Sequence, residues 1–376
     1  MQNGSGSMPE MSRFVFDPAR PGDSDEILEI MEQGFYPGNI SLLYTRRDNA
    51  YESLMKEGED VFITLCRDTA ENKIAAFGTG ALRTVYVNRE PTRIGYLFGL
   101  KARPEYRGYY RFLHNGYAYF HRVVKDKNIP FFLMTILEGN TYAVKLLEKK
   151  RTIMPDHHYL GDYEVYSFKT GLKFKTVPGF RFRPCERDDI PAVIRFLEQE
   201  GKNHQFFPVV NAQWLSGENR NDISYRDFRL LTDDRDRIVA CGALWNQEKY
   251  KQYIIKGYSG ILKMIVPFSF VLPLFGYPDM LAKPGTVLNF FTLSFWAVKD
   301  NDAAVFKYFL QNISRCGRYP FFIVGIHEKN SLKKVLTKLP HFQYKSRVYL
   351  VDWDKSGDRP RSLEKKMTPY LECGML

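Results

Sequence analysis

Ile129–Lys150 reads IPFFLMTILEGNTYAVKLLEKK, and Tyr319–Pro340 reads YPFFIVGIHEKNSLKKVLTKLP. Pro-Phe-Phe and then Ile-x-Glu-x-Asn recur in one register, offset by 190 residues. Each copy predicts a buried strand, a short turn and an amphipathic helix capped by Asn. Internal repetition of this kind fixes the architecture before any single element is assigned.

Two weaker echoes keep the same order. Phe16-Asp17-Pro18 followed by Glu32-Gln33 returns as Phe182-Arg183-Pro184 followed by Glu198-Gln199, at an offset of 166. Ala75-Ala76-Phe77-Gly78 returns as Val239-Ala240-Cys241-Gly242 at an offset of 164, each after a polar hairpin tip. The chain therefore divides into a polar start (1–12), a first repeat (13–170), a linker (171–179), a second repeat (180–354) and a polar, loose tail (355–376). The offset grows from 164 to 190 inside the second repeat, which places an insert at 246–284. That insert holds the apolar run Met264–Pro278. It either packs against the first repeat, lines a pocket for an apolar substrate or lies on a membrane surface.

Composition narrows the class. A chain of 376 residues suits two domains, and 29 Phe with 24 Tyr favour sheet-rich cores. The net charge of +11 is spread along the sequence, and the longest basic run is Lys149-Lys150-Arg151. Spread charge attracts anionic ligands without marking a nucleic-acid arm. Five cysteines at no chelating spacing indicate neither a disulfide framework nor a zinc site. The start lacks the apolar core of a signal peptide, and the proline-broken run 264–278 is too short to span a bilayer. The expectation is a cytoplasmic protein with no metal and no transmembrane segment.

Arg93–Phe120, RIGYLFGLKARPEYRGYYRFLHNGYAYF, carries the chemistry. It predicts a strand over Ile94–Lys101, a tight Pro-Glu-Tyr-Arg-Gly turn and a helix from about Tyr110. Such a turn aims backbone N–H groups and a helix dipole at one point, which favours phosphate oxygens. Arg103, Arg107 and Arg111 add positive charge.

Leu100-Lys101-Ala102-Arg103-Pro104-Glu105-Tyr106-Arg107-Gly108 resembles the diphosphate loop of the GCN5-related N-acetyltransferase (GNAT) superfamily, and Asn140-Thr141-Tyr142-Ala143 resembles its next helix start. The resemblance implies an α/β fold: two tandem acyl-CoA N-acyltransferase domains, each a mixed, mostly antiparallel sheet flanked by helices, with acyl-CoA entering where central strands splay. It implies acetyl-CoA or another acyl-CoA as co-substrate. Leu100 and Ala102 would hold the pantetheine and polarise the thioester. Arg107, Gly108, Tyr109, Tyr110 and Arg111 would bind the diphosphate, and Asn140 with Ala143 would flank the cofactor. The family's small loop positions are Tyr110 and Phe112 here, and its usual acid, a Tyr, is Leu147. Glu138 is the candidate base, and Tyr142, Tyr109 or a water is the candidate acid. The second repeat runs from its strand into Lys299-Asp300-Asn301-Asp302 without an Arg-Gly pair, so it lacks the phosphate turn.

The expected activity is acyl transfer from CoA to an amine on a small molecule or peptide. The alternatives are a non-catalytic acyl-CoA-binding module and an aminoacyl-tRNA-dependent transferase, since such enzymes also carry two of these domains in tandem. Oligomeric state is not written in the sequence.

Overall fold

The computed structural model describes residues 13–376 apart from 37, 39, 109, 149–153, 173–178, 261–262, 264–282 and 318. The side chains of Tyr110, Arg111 and Phe112 also lie outside the described set, as do the start, the basic run, most of the linker and the apolar run.

The first repeat contributes β1 (Phe14–Pro18), β2 (Ile40–Thr45), β3 (Asp60–Asp68), β4 (Lys73–Val87), β5 (Glu90–Ala102), β6 (Phe132–Leu137) and β7 (Asp156–Lys169). The second contributes β8 (Phe180–Pro184), β9 (His204–Gln205), β10 (Phe228–Asp233), β11 (Ile238–Trp245), β12 (Gln252–Tyr258), β13 (Phe290–Val298), β14 (Phe321–His327) and β15 (Phe342–Asp352). A short β16 (Thr368–Pro369) follows. Helices α1 (Ser24–Glu32), α2 (Ala50–Leu54), α3 (Tyr110–Val124) and α4 (Thr141–Glu148) belong to the first repeat; α5 (Ile190–Gly201) and α6 (Ala303–Ile313) belong to the second.

Twelve strands form one sheet in the order β1-β3-β4-β5-β6-β15-β7-β14-β13-β11-β10-β8. Read inward from either edge, the same succession of elements appears, so the repeat in sequence is a repeat in topology. β5 with β6 and β13 with β14 are parallel; the other neighbours in this sheet are antiparallel.

At the centre the last strands are exchanged. β15 of the second repeat pairs with β6 of the first, and β7 of the first pairs with β14 of the second. The two exchanged strands also pair with each other, from Phe342↔Ser167 to Asp352↔Asp156. Val348, Tyr349, Leu350, Val351, Tyr166 and Phe168 on them are completely buried. Burying side chains of this size stabilises by about 1.5–3 kcal/mol each, before chain entropy is counted. The proposed division at 171–179 thus separates two repeats of sequence whose folded halves each need a strand from the other. A second link is the pairing of β12, from the insert, with β2 of the first repeat.

The stretch 355–376 departs from the expectation of a loose tail. Met367, Tyr370, Leu371, Glu372 and Met375 are buried, and β16 pairs with β9. The apolar residues among Met367–Leu376 drive this, a signal masked by the polar residues before them.

Exchange of the central strands predicts one cooperative unfolding transition for both repeats. Far-UV circular dichroism and tryptophan fluorescence in urea should give coincident curves; two separated transitions would contradict the coupling.

Candidate functional site

Strand β5 is zipped to β4 along most of its length, but the register jumps between Phe77 and Thr79. Phe98 faces Thr79 and Lys101 faces Phe77, so Gly99 and Leu100 bulge opposite Gly78. Gly99 sits at φ +66°, a conformation that costs a glycine little and an L residue more. On its other edge β5 pairs with β6 only over Gly95–Leu97 against Phe132–Met134. Close approach there requires Gly95, where a Cβ would stand 1.9 Å from the Phe132 ring. Beyond this point β6 follows β15, β5 bulges away, and a wedge opens between them.

Two polar groups mark the wedge. The Tyr96 hydroxyl reaches across its floor to Thr135 Oγ1 on β6, 2.6 Å away. Burial pushes this phenol up to about 12. Thr79 Oγ1 is buried without a hydrogen-bond partner, 3.6 Å from where a Cβ on Gly99 would sit. Leu100 is more than half exposed.

The turn after β5 is a 3-10 turn, Pro104–Tyr106, then Gly108 at φ +92° and α3 from Tyr110. It is pinned from below. The Tyr106 hydroxyl donates to Asp68 Oδ2 at 2.7 Å, and Arg13 pairs with the same oxygen at 2.6 Å. Those bonds hold the Asp68 carboxyl well below the ordinary carboxylate range. Arg103 does not add its charge to the turn as the sequence suggested. It is buried, donates to Ile74 O at 2.7 Å and pairs with Glu29 of α1 at 2.6 Å. The strand's alternation turns it inward, and α1 supplies its counter-charge. Arg107 and Gly108 are exposed. Lys101, passed over in the sequence as a strand residue, lies near Arg107. Burial first, then Arg107, lowers its ammonium to about 8.

Because β5 and β6 are parallel, the loop after β6 emerges on the same sheet edge as the turn. It carries the other sequence candidates. Asn140 Oδ1 accepts from Ala143 N at 3.1 Å, so this oxygen caps α4. Ala143 of α4 packs against the core, and Leu147 of the same helix is buried in it. Glu138 and Tyr142 are exposed. Glu138 lies four residues beyond Met134, about 13 Å up the strand from the floor of the wedge. Ala102 is back in the ladder, opposite Ala76. Tyr109 lies outside the described residues.

Against the middle of β5, at Ile94–Tyr96, lies a cavity of about 260 Å³ between the repeats. Arg83 and Tyr96 line it from the first repeat, Trp214 and Asn219 from the second, and Glu372 and Leu376 from the end of the sequence. Arg83 stacks on Tyr96, 4.7 Å from the ring centre, so the cavity and the wedge floor share one side chain. Behind it is a buried charge cluster that sequence reasoning missed. Glu57 pairs with Arg46, with Lys251 at 3.3 Å and with Arg83 at 3.5 Å. Burial alone would raise the Glu57 carboxyl; Lys251, Arg46 and Arg83 outweigh it and hold it at about 2. The same cations grip the chain's last residues: Arg83 donates to Met375 O at 2.6 Å, Lys251 to Gly374 O at 3.1 Å and to Leu376 O at 3.0 Å. These groups come from four distant segments, so no spacing could have announced them.

Among the described residues no group of His, Cys, Asp or Glu suited to a metal ion occurs, the five cysteines are free, and no helix is long and apolar enough to cross a membrane.

The doubled wedge-bearing sheet is the fold of the GCN5-related N-acetyltransferase superfamily, present twice in one chain. Saccharomyces cerevisiae N-myristoyltransferase with bound myristoyl-CoA matches at a TM-score of 0.57 and 12% identity, over 93% of this chain and 81% of that one. A GCN5-related N-acetyltransferase from Sphaerobacter thermophilus matches at 0.52 and 11%, over 92% and 97%. One from Anabaena variabilis matches at 0.51 and 10%, over 90% and 72%. No protein-family model and no curated protein matches the sequence. At such identities the likeness establishes the fold.

Two outcomes test the charge cluster. Glu57→Gln leaves the buried Arg46 and Lys251 and the half-buried Arg83 without their carboxylate and should cost about 3–5 kcal/mol in urea unfolding. Burial lowers Lys251 to about 8 against an ordinary 10.5, a shift that Glu57 opposes. Between those values the unfolded chain binds a proton that the folded chain has released, so this group's contribution to stability rises with pH across that window. Wild type should gain on Lys251→Met from pH 8 to 10; parallel profiles would contradict the assignment.

Proposed function

We propose that the chain is an acyl-CoA-dependent N-acyltransferase in which the first repeat holds the acyl-CoA and the cavity between repeats receives the amine. The observation that carries this reading is the wedge between β5 and β6 opening directly beneath the exposed Arg107-Gly108 turn. Arg107, Gly108, Tyr109, Tyr110 and Arg111 would hold the diphosphate on backbone amides, guanidinium charge and the α3 dipole. The pantetheine would run past Ala102 and Leu100 into the wedge. Asn140 and Ala143 would border it, and Glu138 and Tyr142 would stand beside its outer half.

Chemistry would occur at the wedge floor. The amine attacks the thioester carbon, an N–C bond forms, and negative charge develops on the carbonyl oxygen. Backbone amides at the Gly99–Leu100 bulge are placed to stabilise that charge. Collapse breaks the C–S bond, the amine's proton leaves to solvent or a base, and the CoA thiolate takes up a proton. Tyr96, at the floor and kept protonated by burial, would supply that proton.

A second reading, binding without turnover, draws support from Leu147, which occupies the core where the family often places its acid. Calorimetry with acetyl-CoA and myristoyl-CoA, followed by turnover on amine and peptide panels, separates the two and fixes the acyl length. Arg107→Glu should weaken acyl-CoA binding roughly 10- to 100-fold, the worth of one charge-assisted contact. Tyr96→Phe should leave that affinity unchanged and lower kcat about 100-fold. Unchanged affinity in the first variant would overturn the cofactor site.

A further inference from the structure

The second repeat keeps the wedge of the first. β13 and β14 pair in parallel from Phe290–Leu293 against Phe321–Val324, and the pairing stops there. Leu293 and Val324 hold the places of Leu97 and Met134, 196 and 190 residues earlier, where pairing stops in the first repeat. The bulge is conserved too. Register jumps between Cys241 and Ala243, the counterparts of Phe77 and Thr79. Phe295, the counterpart of Gly99, sits at φ +49°, an unfavourable backbone for a phenylalanine.

What differs is the occupant. The Phe295 amide donates to Glu372 Oε2 at 2.6 Å, and the next amide, Trp296, donates to the Tyr370 hydroxyl at 3.2 Å. Tyr370 also donates to Glu372 Oε2 at 3.0 Å, and Glu372 Oε1 accepts from Gly374 N at 3.0 Å. Across the wedge, Cys373 Cβ lies 2.8 Å from where a Cβ on Gly325 of β14 would stand. Gly374 packs just as closely on Trp245 and Ser294, and Leu371 O accepts from Tyr163 at 2.8 Å. Residues 370–375 are thus clasped between β13 and β14, with a carboxylate oxygen on the bulge amide.

We propose that the second repeat's acyl-CoA wedge is a socket for the chain's own Tyr370–Met375 segment, in which the Glu372 carboxylate holds the place that a thioester oxygen takes in the first repeat. The socket gives a diverged repeat a new task. It fixes the segment whose Tyr370, Leu371, Glu372 and Met375 wall the cavity proposed for the amine. One acyl-CoA per chain follows, and Glu372 is a positioning residue for the acceptor site. The comparison with a thioester rests on the function proposed above; the occupancy of the socket does not.

Hydrogen–deuterium exchange on the full chain, with and without acetyl-CoA, tests this. In ligand-free wild type the Phe295 and Trp296 amides should be protected, and of the two bulges acetyl-CoA should slow exchange only at Gly99–Leu100. Glu372→Ala should speed exchange at Phe295, Trp296 and 367–376 at least tenfold and leave Gly95–Leu97 unchanged. Glu372→Gln, which keeps one carbonyl acceptor, should fall between them and serves if the alanine variant does not fold. Unaltered exchange at Phe295 in either folded variant, or protection of Phe295–Trp296 by acetyl-CoA in wild type, overturns the proposal. Loss of the ligand effect at Gly99–Leu100 alone would instead overturn the acyl-CoA reading of the first repeat.

Discussion

Parallel pairing between β5 and β6 lasts for three residues on each strand and then fails, and the arrangement of the whole molecule depends on that divergence. A parallel ladder left intact would close the sheet and leave no internal backbone available to a ligand. Here Gly95 lets the strands touch at one point, and the bulge at Gly99–Leu100 bends β5 away from β6. The gap that results exposes the main chain of the bulge, and the register jump that makes it recurs between Cys241 and Ala243. That explains how the wedge persists in the second repeat although the phosphate turn beside it is gone.

The edge of β6 that faces away from β5 would stand open in the first repeat alone, as the matching edge of β14 would in the second, and an exposed edge invites uncontrolled pairing. Each repeat covers the other's edge with its last strand, β15 on β6 and β7 on β14. The two wedges are therefore built into one continuous sheet. The cavity forms where the repeats meet, and the Glu57 cluster ties Arg46 and Arg83 of the first to Lys251 of the second. Gathering three cations, two of them buried, around one carboxylate is costly, and the backbone oxygens of Gly374, Met375 and Leu376 offset part of that cost.

Much of the fold was legible in the sequence because duplication repeats local signals in order. The hairpin tips, the strand-turn-helix around Pro104–Gly108 and the Asn140 cap depend on neighbours in sequence, and the structure has them where the residues place them. What depended on distant partners was not legible. Arg103 reads as one of three loop arginines until α1 supplies Glu29. Residues 355–376 read as a tail because composition averages over the polar stretch and hides the buried Tyr370–Met375. The strand exchange leaves no trace in the sequence, since a strand donated to either repeat carries the same alternating pattern. Tyr96 was passed over because its reach to Thr135 spans two strands joined only by the fold.

The central claim is that one of two equivalent wedges takes acyl-CoA while the chain itself fills the other. A crystal structure with a non-hydrolysable thioether analogue of acyl-CoA tests it most directly. The account predicts the diphosphate on the Arg107-Gly108 turn, the pantetheine arm between β5 and β6, and Glu372 still bonded to the Phe295 amide. An analogue lying between β13 and β14 with residues 370–375 displaced, or bound away from both wedges, would contradict it.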